Sequence, residues 1–287
     1  MLNAFRWLGR RPLWFLHALG ALLGWLTYAA SPTYRRRFKA NARRAGFDSA
    51  QVRPAIAAAG RMIAEMPLLW TRAPDAPIRA GIEWVGAEHV VAAHAQGRGV
   101  VFLTPHMGSF EVTAQAYAEK FAATLAPVTV LYRPARKAAL RTLMAGARER
   151  PGLATAPATL AGVRQMIRAL RRGEAVGLLP DQVPPQGMGE WAPFFGAPAY
   201  TMTLAARLIR QTGAAPLLIW GERLARGAGF RLHVSPLGEA LPGDDGAQAE
   251  SAAVINRAME RLIRACPGQY LWGYNRYKSP RAADPAD

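Results

Sequence analysis

One cysteine, Cys266, in 287 residues excludes an internal disulfide framework and fits a reducing compartment. As a lone thiol it reads as a small buried hydrophobe rather than a nucleophile. Acidic residues are scarce, 19 against 36 Lys and Arg, for a formal charge of +17. An excess of that sign calls for an anionic partner: nucleic acid, anionic lipid or a phosphorylated substrate. Zinc-finger spacing, an aromatic ribonucleoprotein motif and basic-region heptads are all missing, which sets nucleic acid aside. Histidine occurs only five times, and no pair has metal-ligand spacing, so no metal is expected. Without a Gly-x-Ser-x-Gly elbow the chain is no ordinary serine hydrolase. It has no internal repeat, and with 51% hydrophobic residues it can bury a full core.

Long apolar runs are also lacking, with one exception. Leu13 to Ala30 holds no Asp, Glu, Lys or Arg over 18 residues, close to the ~20 that a spanning helix needs. Arg6, Arg10 and Arg11 precede it, and Arg35, Arg36, Arg37 and Lys39 follow. Four readings compete: a signal peptide, a transmembrane span, a helix lying in the membrane interface, and a buried core helix. The arginines behind the segment count against export. Trp7, Trp14, Trp25 and Tyr28 suit an interface, where the basic flanks would meet anionic head groups on the cytoplasmic side.

The expected organisation is a membrane anchor or interfacial helix over 1–32, a helical annex over 33–75 and an α/β domain over 76–287. In the annex, helices are expected at Tyr34–Ala45 and Gln51–Arg72. Beyond it the pattern alternates, with strands at Val100–Thr104, Pro127–Tyr132, Ala175–Leu179, Pro216–Gly221 and Phe230–Ser235. Helices are expected at Ala87–Gln96, Ser109–Phe121, Ala135–Glu149, Thr159–Arg172, Tyr200–Thr212 and Gln248–Ala265, with a Pro/Gly loop running up to Pro198. The fold class is therefore α/β: a largely parallel or mixed sheet with helices on both faces.

In such sheets ligands gather beyond the carboxyl ends of the strands. His106, Arg133 and Asp181 each follow one of these strand ends. The first belongs to Thr104-Pro-His-Met-Gly-Ser-Phe-Glu111, a histidine and a carboxylate five positions apart. On one helix the two side chains would stand about 140° apart. They can meet if His106 stays in the loop, Gly108 makes the turn, Ser109 caps the helix and Glu111 projects from its first turn. His106 would then be a general base with Glu111 as its partner, and first-turn amides could stabilise an oxyanion. Ser109 serves better as a cap than as a nucleophile. Taken alone, His106 could equally be a satisfied strand-end histidine. His17, His89, His94 and His233 have no acid at comparable spacing.

Four blocks carry a wider resemblance: TPHMGSFE at 104–111, LYRPARKAAL at 131–140, GLLPDQVPPQGMGEWAPFFGAPAYT at 177–201 and PGQYLWGYNRYKSP at 267–280. Together with the apolar N-terminus and Asn41 in a basic helix, they resemble the bacterial late acyltransferases of lipid A biosynthesis, within the lysophospholipid acyltransferase superfamily. The tract after Asn41 departs from the family in lacking a proline-containing motif.

The resemblance implies transfer of a fatty acyl group from acyl carrier protein to a hydroxyl of a phosphorylated lipid A precursor, at the cytoplasmic face of the bacterial inner membrane. The carrier thioester would be a co-substrate, with no cofactor. It makes His106 and Glu111 catalytic and places Arg133 and Asp181 at the active site, where Arg133 could fork onto a phosphate or simply be a surface arginine. Asp181 could position substrate or cap its loop. Arg276 and Lys278 could hold a phosphorylated head group or the acidic carrier, or be a solvated basic tail. Trp191 to Gly196 could wall an acyl chain. Two rival functions remain: acylation of another glycolipid or a lysophospholipid, and non-catalytic binding of a basic protein to membranes.

Overall fold

The computed structural model describes residues 2–132, 150–243 and 247–282. The N-terminal part is helical throughout: α1 (Leu2–Gly9), α2 (Leu13–Ala30), α3 (Pro32–Arg44), α4 (Ser49–Val52), α5 (Pro54–Ala64) and α6 (Met66–Trp70). α2 coincides with the apolar run. α3 starts where Ser31 Oγ accepts a hydrogen bond from the Tyr34 amide, with Pro32 in the first turn, the place proline suits best. The single helix expected over Gln51–Arg72 is instead three, because Pro54 and Pro67 each open a new helix and proline donates no hydrogen bond to a helix already running.

α2 lies along α5 on a seam of glycines. A Cβ on Gly60 would come 1.9 Å from the Gly20 carbonyl, and one on Gly24 would come 2.2 Å from that of Ile56. Leu13, Leu16, His17, Gly20 and Gly24 are the buried residues of α2. Trp14, Leu22, Leu23, Trp25 and Leu26 are exposed on the rest of the helix.

The sheet strands are β1 (Ile82–Val85), β2 (Val100–Leu103), β3 (Val128–Tyr132), β4 (Leu153–Pro157), β5 (Ala175–Leu178), β8 (Ala215–Arg223) and β9 (Phe230–Pro236). Between β5 and β8 lies a hairpin of β6 (Gly189–Phe194) and β7 (Ala197–Met202). The seven-stranded sheet has the order β1-β9-β8-β2-β5-β3-β4. All its pairings are parallel except β8 with β9, so it is the mixed sheet expected. Around it lie α7 (Ala87–His94), α8 (Phe110–Phe121), α9 (Leu160–Arg171), α10 (Leu204–Thr212) and α11 (Gln248–Ala265). β2 is buried at every position, which suits a central parallel strand covered on both faces.

Two edge strands were not expected. β1 is only half buried and β4 reads Leu-Ala-Thr-Ala-Pro, so neither carries the apolar run that marks a central strand. The hairpin also replaces the expected loop to Pro198, and the helix expected from Tyr200 begins at Leu204. Phe195 and Gly196 at the hairpin tip both take positive φ, 47° and 72°, the two-residue turn whose twist matches antiparallel strands. The expected helix Ala135–Glu149 lies outside the described residues.

Candidate active site

The sheet order brings the site together. β2 and β5 are neighbours in parallel register, with Leu103 opposite Leu178. The pairing continues one step further, where the Thr104 amide donates to the Leu178 carbonyl at 3.1 Å. Both chains then run on for the same short distance, and His106 meets Asp181 across the end of the sheet. The Asp181 carboxylate accepts twice: Oδ1 lies 2.7 Å from the imidazole Nδ1, and Oδ2 takes the His106 backbone N–H at 2.9 Å. This two-point hold fixes both the loop and the ring plane. It makes Nδ1 the protonated nitrogen and leaves Nε2 with a free lone pair.

Asp181 is 2% exposed. Burial raises its pKa, but the adjacent imidazole, the two hydrogen bonds from His106 and the Arg276 charge outweigh that, and the carboxyl ends below its ordinary value. It is therefore an anion at neutral pH, able to stabilise an imidazolium. Tyr270 is directed at Asp181 from behind. Burial, reinforced by that carboxylate, holds its phenol well above the ordinary value, so it stays a neutral donor. Phe110 lies against the His106 ring, with centroids 5.1 Å apart.

Glu111, the expected partner, is placed otherwise. As the second residue of α8 it turns toward the annex, where Oε2 accepts from Trp70 Nε1 at 3.3 Å. Asp181 occupies the imidazole nitrogen that Glu111 was expected to hold. Glu111 does line the cavity beside the site, together with Thr104 and Phe110 on either side of His106. The remaining lining combines apolar Phe102, Val130 and Leu178 with polar Thr113 and Gln115, and the cavity volume is about 80 Å³, small beside the ~300–1,000 Å³ of ligand pockets.

The turn that presents His106 is held from two sides. Gly108 has φ +57°, and a Cβ there would fall 1.9 Å from the Gly221 carbonyl, so only glycine fits. Its amide donates to the Gln269 carbonyl at 3.0 Å, and the Leu271 amide donates to the His106 carbonyl at 3.1 Å. The Gln-Tyr-Leu-Trp block is thus a brace for the loop that carries His106. On the other side Arg223 Nη2 donates to the Gly108 carbonyl while its Nε donates to Glu65. Glu65 also pairs with His17 of α2 at 2.8 Å. Burial raises the Glu65 pKa, yet Arg223 and His17 bring it below its ordinary value. This buried chain of charges joins the apolar N-terminal helix to the turn beside His106. It also shows that His17 does have an acid partner, 48 residues away in sequence. His233 likewise pairs with Glu222 at 2.8 Å.

Several expectations change here. Ser109 occupies the position before α8, but its side chain caps nothing; it is 2% exposed, and its hydroxyl has no hydrogen-bond partner among the described residues. The amides of Gly108 and Ser109 are committed to Gln269 and Gly221, so neither serves an oxyanion.

Arg276, expected to bind substrate, is 2% exposed. It donates to the Tyr200 carbonyl at 2.6 Å, to Thr201 Oγ1 at 2.6 Å and to Asn256 Oδ1 at 3.3 Å. Its fork therefore ties the C-terminal segment to the β6–β7 hairpin and α11. Phe194 packs beneath it, 5.0 Å from the guanidinium. Both carboxylate oxygens of Asp181 are likewise engaged by His106.

Lys278 stays partly exposed, with Nζ 5.1 Å from the Tyr274 ring. Trp191 is exposed while Phe194 and Phe195 are buried, so the Phe-Phe-Gly block packs inward. Arg133 lies outside the described residues. Burial pushes the Cys266 thiol up to about 11, consistent with the inert role expected. The His106–Asp181 pair leaves no local trace in the sequence, because it depends on β5 being inserted between β2 and β3.

An imidazole held by a buried carboxylate, beside an apolar cavity, is equipped to take a proton from an alcohol near an acyl chain. Comparison with known proteins gives the family. The model of the bacterial lipid A biosynthesis acyltransferase family matches residues 4–279. The lipid A biosynthesis palmitoleoyltransferase of Escherichia coli (strain K12) is 28% identical over 77% of this chain and 69% of its own. The lauroyltransferase of the same strain is 28% identical over 77% and 68%. A lipid A biosynthesis acyltransferase of Haemophilus influenzae is 23% identical over 66% and 57%. With that match spanning nearly its whole length, this chain belongs to the bacterial lipid A biosynthesis acyltransferase family.

Proposed function

We propose that the protein transfers a fatty acyl group from the thioester of acyl carrier protein to a hydroxyl of a phosphorylated lipid A precursor, with His106 as general base. The observation that carries the mechanism is the His106–Asp181 pair, with its two hydrogen bonds of 2.7 and 2.9 Å. Nε2 removes the hydroxyl proton as the oxygen attacks the thioester carbonyl, and Asp181 stabilises the imidazolium. The oxyanion lies near the Phe110 and Glu111 amides at the start of α8, where the helix dipole favours negative charge. When the tetrahedral intermediate collapses, the carbon–sulfur bond breaks and the thiolate takes the proton from Nε2. The products are an ester and a free carrier thiol. The acyl chain enters along the apolar wall of Phe102, Val130 and Leu178, where the cavity of about 80 Å³ has to widen to take its length.

The excess of 17 positive charges suits both an acidic carrier and a phosphorylated acceptor. The exposed apolar face of α2, flanked by arginines, supports membrane association, and in this reading the enzyme works at the cytoplasmic face of the inner membrane. The deciding experiment supplies purified enzyme with carrier-bound acyl donors and a defined lipid A precursor, and follows the acylated product by mass spectrometry. Acceptor-dependent ester formation that disappears in His106→Ala supports the reading. Unchanged turnover in that variant refutes the mechanism, and ester formation only on a lysophospholipid refutes the acceptor.

A further inference from the structure

A second cavity lies among α2, α3 and the start of α5, and shares no lining residue with the one beside His106. Phe38, Ala42, Val52 and Ile56 form a buried floor. Lys39, Arg43 and Arg53 stand exposed around it, and the cavity volume is about 640 Å³. Asp48 is its one acidic lining residue, and that carboxylate is already engaged by the amides of Ala50 and Gln51. Lys39 and Arg43 have no ion pair among the described residues. Arg53 leans over the Trp25 ring at 5.6 Å, which leaves its guanidinium edge free to donate.

The seam with α5 decides what this cavity meets. α2 packs along α5 through Gly20, Gly24 and Gly60 and carries His17 in the buried ion network. If α2 crossed a bilayer in this packing, α5, Arg61 and that network would have to enter the hydrocarbon with it, which is strongly disfavoured. α2 instead lies along the interface with Leu22, Leu23, Trp25 and Leu26 toward the lipid. Trp25 belongs both to that exposed face and to the cavity wall, so the cavity mouth opens at head-group level. An aromatic wall continuous with a lipid-facing helix, under three cations, suits an acyl-linked phosphate.

We propose that this cavity binds the phosphate head group of an anionic phospholipid from the surrounding bilayer, with Lys39, Arg43 and Arg53 as its ligands and the glycerol and upper acyl chains along Trp25 and Tyr28. The site fixes the rotation of α2 in the interface. It rests on the membrane association proposed above.

The test uses the full-length enzyme in nanodiscs of phosphatidylcholine containing a fraction of phosphatidylglycerol brominated on its acyl chains. The Trp25 contribution to fluorescence is obtained by difference from Trp25→Phe. Wild-type Trp25 should be quenched preferentially by brominated phosphatidylglycerol over brominated phosphatidylcholine. Lys39→Ala/Arg43→Ala should weaken that preference about a hundredfold, roughly tenfold for each direct charge-assisted contact to the phosphate that is lost. The control Arg36→Ala/Arg37→Ala removes the same charge from the same helix outside the cavity and should change it much less.

Equal losses in the two double variants would mean diffuse surface attraction and overturn the site. Displacement of phosphatidylglycerol from Trp25 by the lipid A precursor at matched concentration would assign the cavity to the acceptor instead and overturn the proposal. Failure of the wild type to associate with any nanodisc would instead refute the membrane reading beneath it. Retained acyl transfer in both double variants verifies that they are folded.

Discussion

Replacing Asp181 by asparagine keeps the shape of the site and removes one proton acceptor. In the native pair Oδ1 faces Nδ1 at 2.7 Å and Oδ2 faces the His106 amide at 2.9 Å; both are acceptors, and both partners donate. Asparagine offers one oxygen and one NH2 group. If the oxygen keeps the backbone N–H, the NH2 group faces Nδ1, which must give up its proton to accept. The proton then sits on Nε2, the atom proposed as the base. If the amide turns over, the ring keeps its tautomer but the loop loses its backbone anchor to a donor–donor clash. Either outcome also removes the anion that stabilises the imidazolium.

A positioned base contributes about 10²–10⁴-fold, and loss of the orienting carboxylate in the serine-protease triad costs about 10⁴. For Asp181→Asn the expectation is a fall in kcat of about 10³–10⁴, or ~4–5.5 kcal/mol at the transition state. KM for the acyl donor should change little, because Asp181 is buried behind His106. The assay is steady-state transfer from the carrier thioester to the lipid A precursor, with Tm measured in parallel. A variant that retains more than a tenth of wild-type kcat while remaining folded would refute the dyad.

Glu111→Gln preserves an acceptor for Trp70 Nε1 and should lower kcat less than Asp181→Asn does; the reverse order in the same assay would restore Glu111 as the partner of His106. Gly108→Ala puts a Cβ 1.9 Å from the Gly221 carbonyl at φ +57°, so a loss of at least ~1–3 kcal/mol is expected, read as a lower Tm together with lower kcat. Glu65→Gln leaves Arg223 buried beside a neutral side chain and should cost ~3–5 kcal/mol, measured by denaturant unfolding in detergent; a loss below ~1 kcal/mol would show that the network adds little. Glu65 and Asp181 both have folded pKa values below their ordinary ones. Their stabilisation is therefore complete above the ordinary carboxylate range and is lost as pH falls through the depressed folded values. Tm should fall as pH drops below about 4, with a shallower fall in Glu65→Gln.

Much of this arrangement is legible in the chain. The buried run Val100–Leu103 followed by Thr-Pro-His makes a central strand and puts a histidine at its carboxyl end. The apolar run from Leu13 to Ala30 marks α2 to the residue, and the amphipathic spacing of Gln248–Ala265 does the same for α11. Such features depend on neighbours one turn or one pleat away, and local physics is enough to read them. The hairpin at Gly189–Met202 escapes because prolines and glycines interrupt its alternation. β1 and β4 escape because edge strands need no continuous apolar surface.

The sequence by itself determined that a histidine stands at a strand end, that an aspartate stands at another, that glycine must make the turn between His106 and α8, and that an apolar, arginine-flanked helix leads the chain. Tertiary structure alone decided which carboxylate serves the histidine. Spacing along the chain favours Glu111, five residues away, but the insertion of β5 beside β2 brings Asp181, 75 residues away, to the imidazole, while the first turn of α8 carries Glu111 toward Trp70. It likewise turned Arg276 from a candidate ligand into a buried clamp, and joined His17, Glu65 and Arg223 from three distant segments. Local sequence dictates which backbone elements form. Which of their ends meet depends on strand order, a property of how all the apolar faces are buried at once.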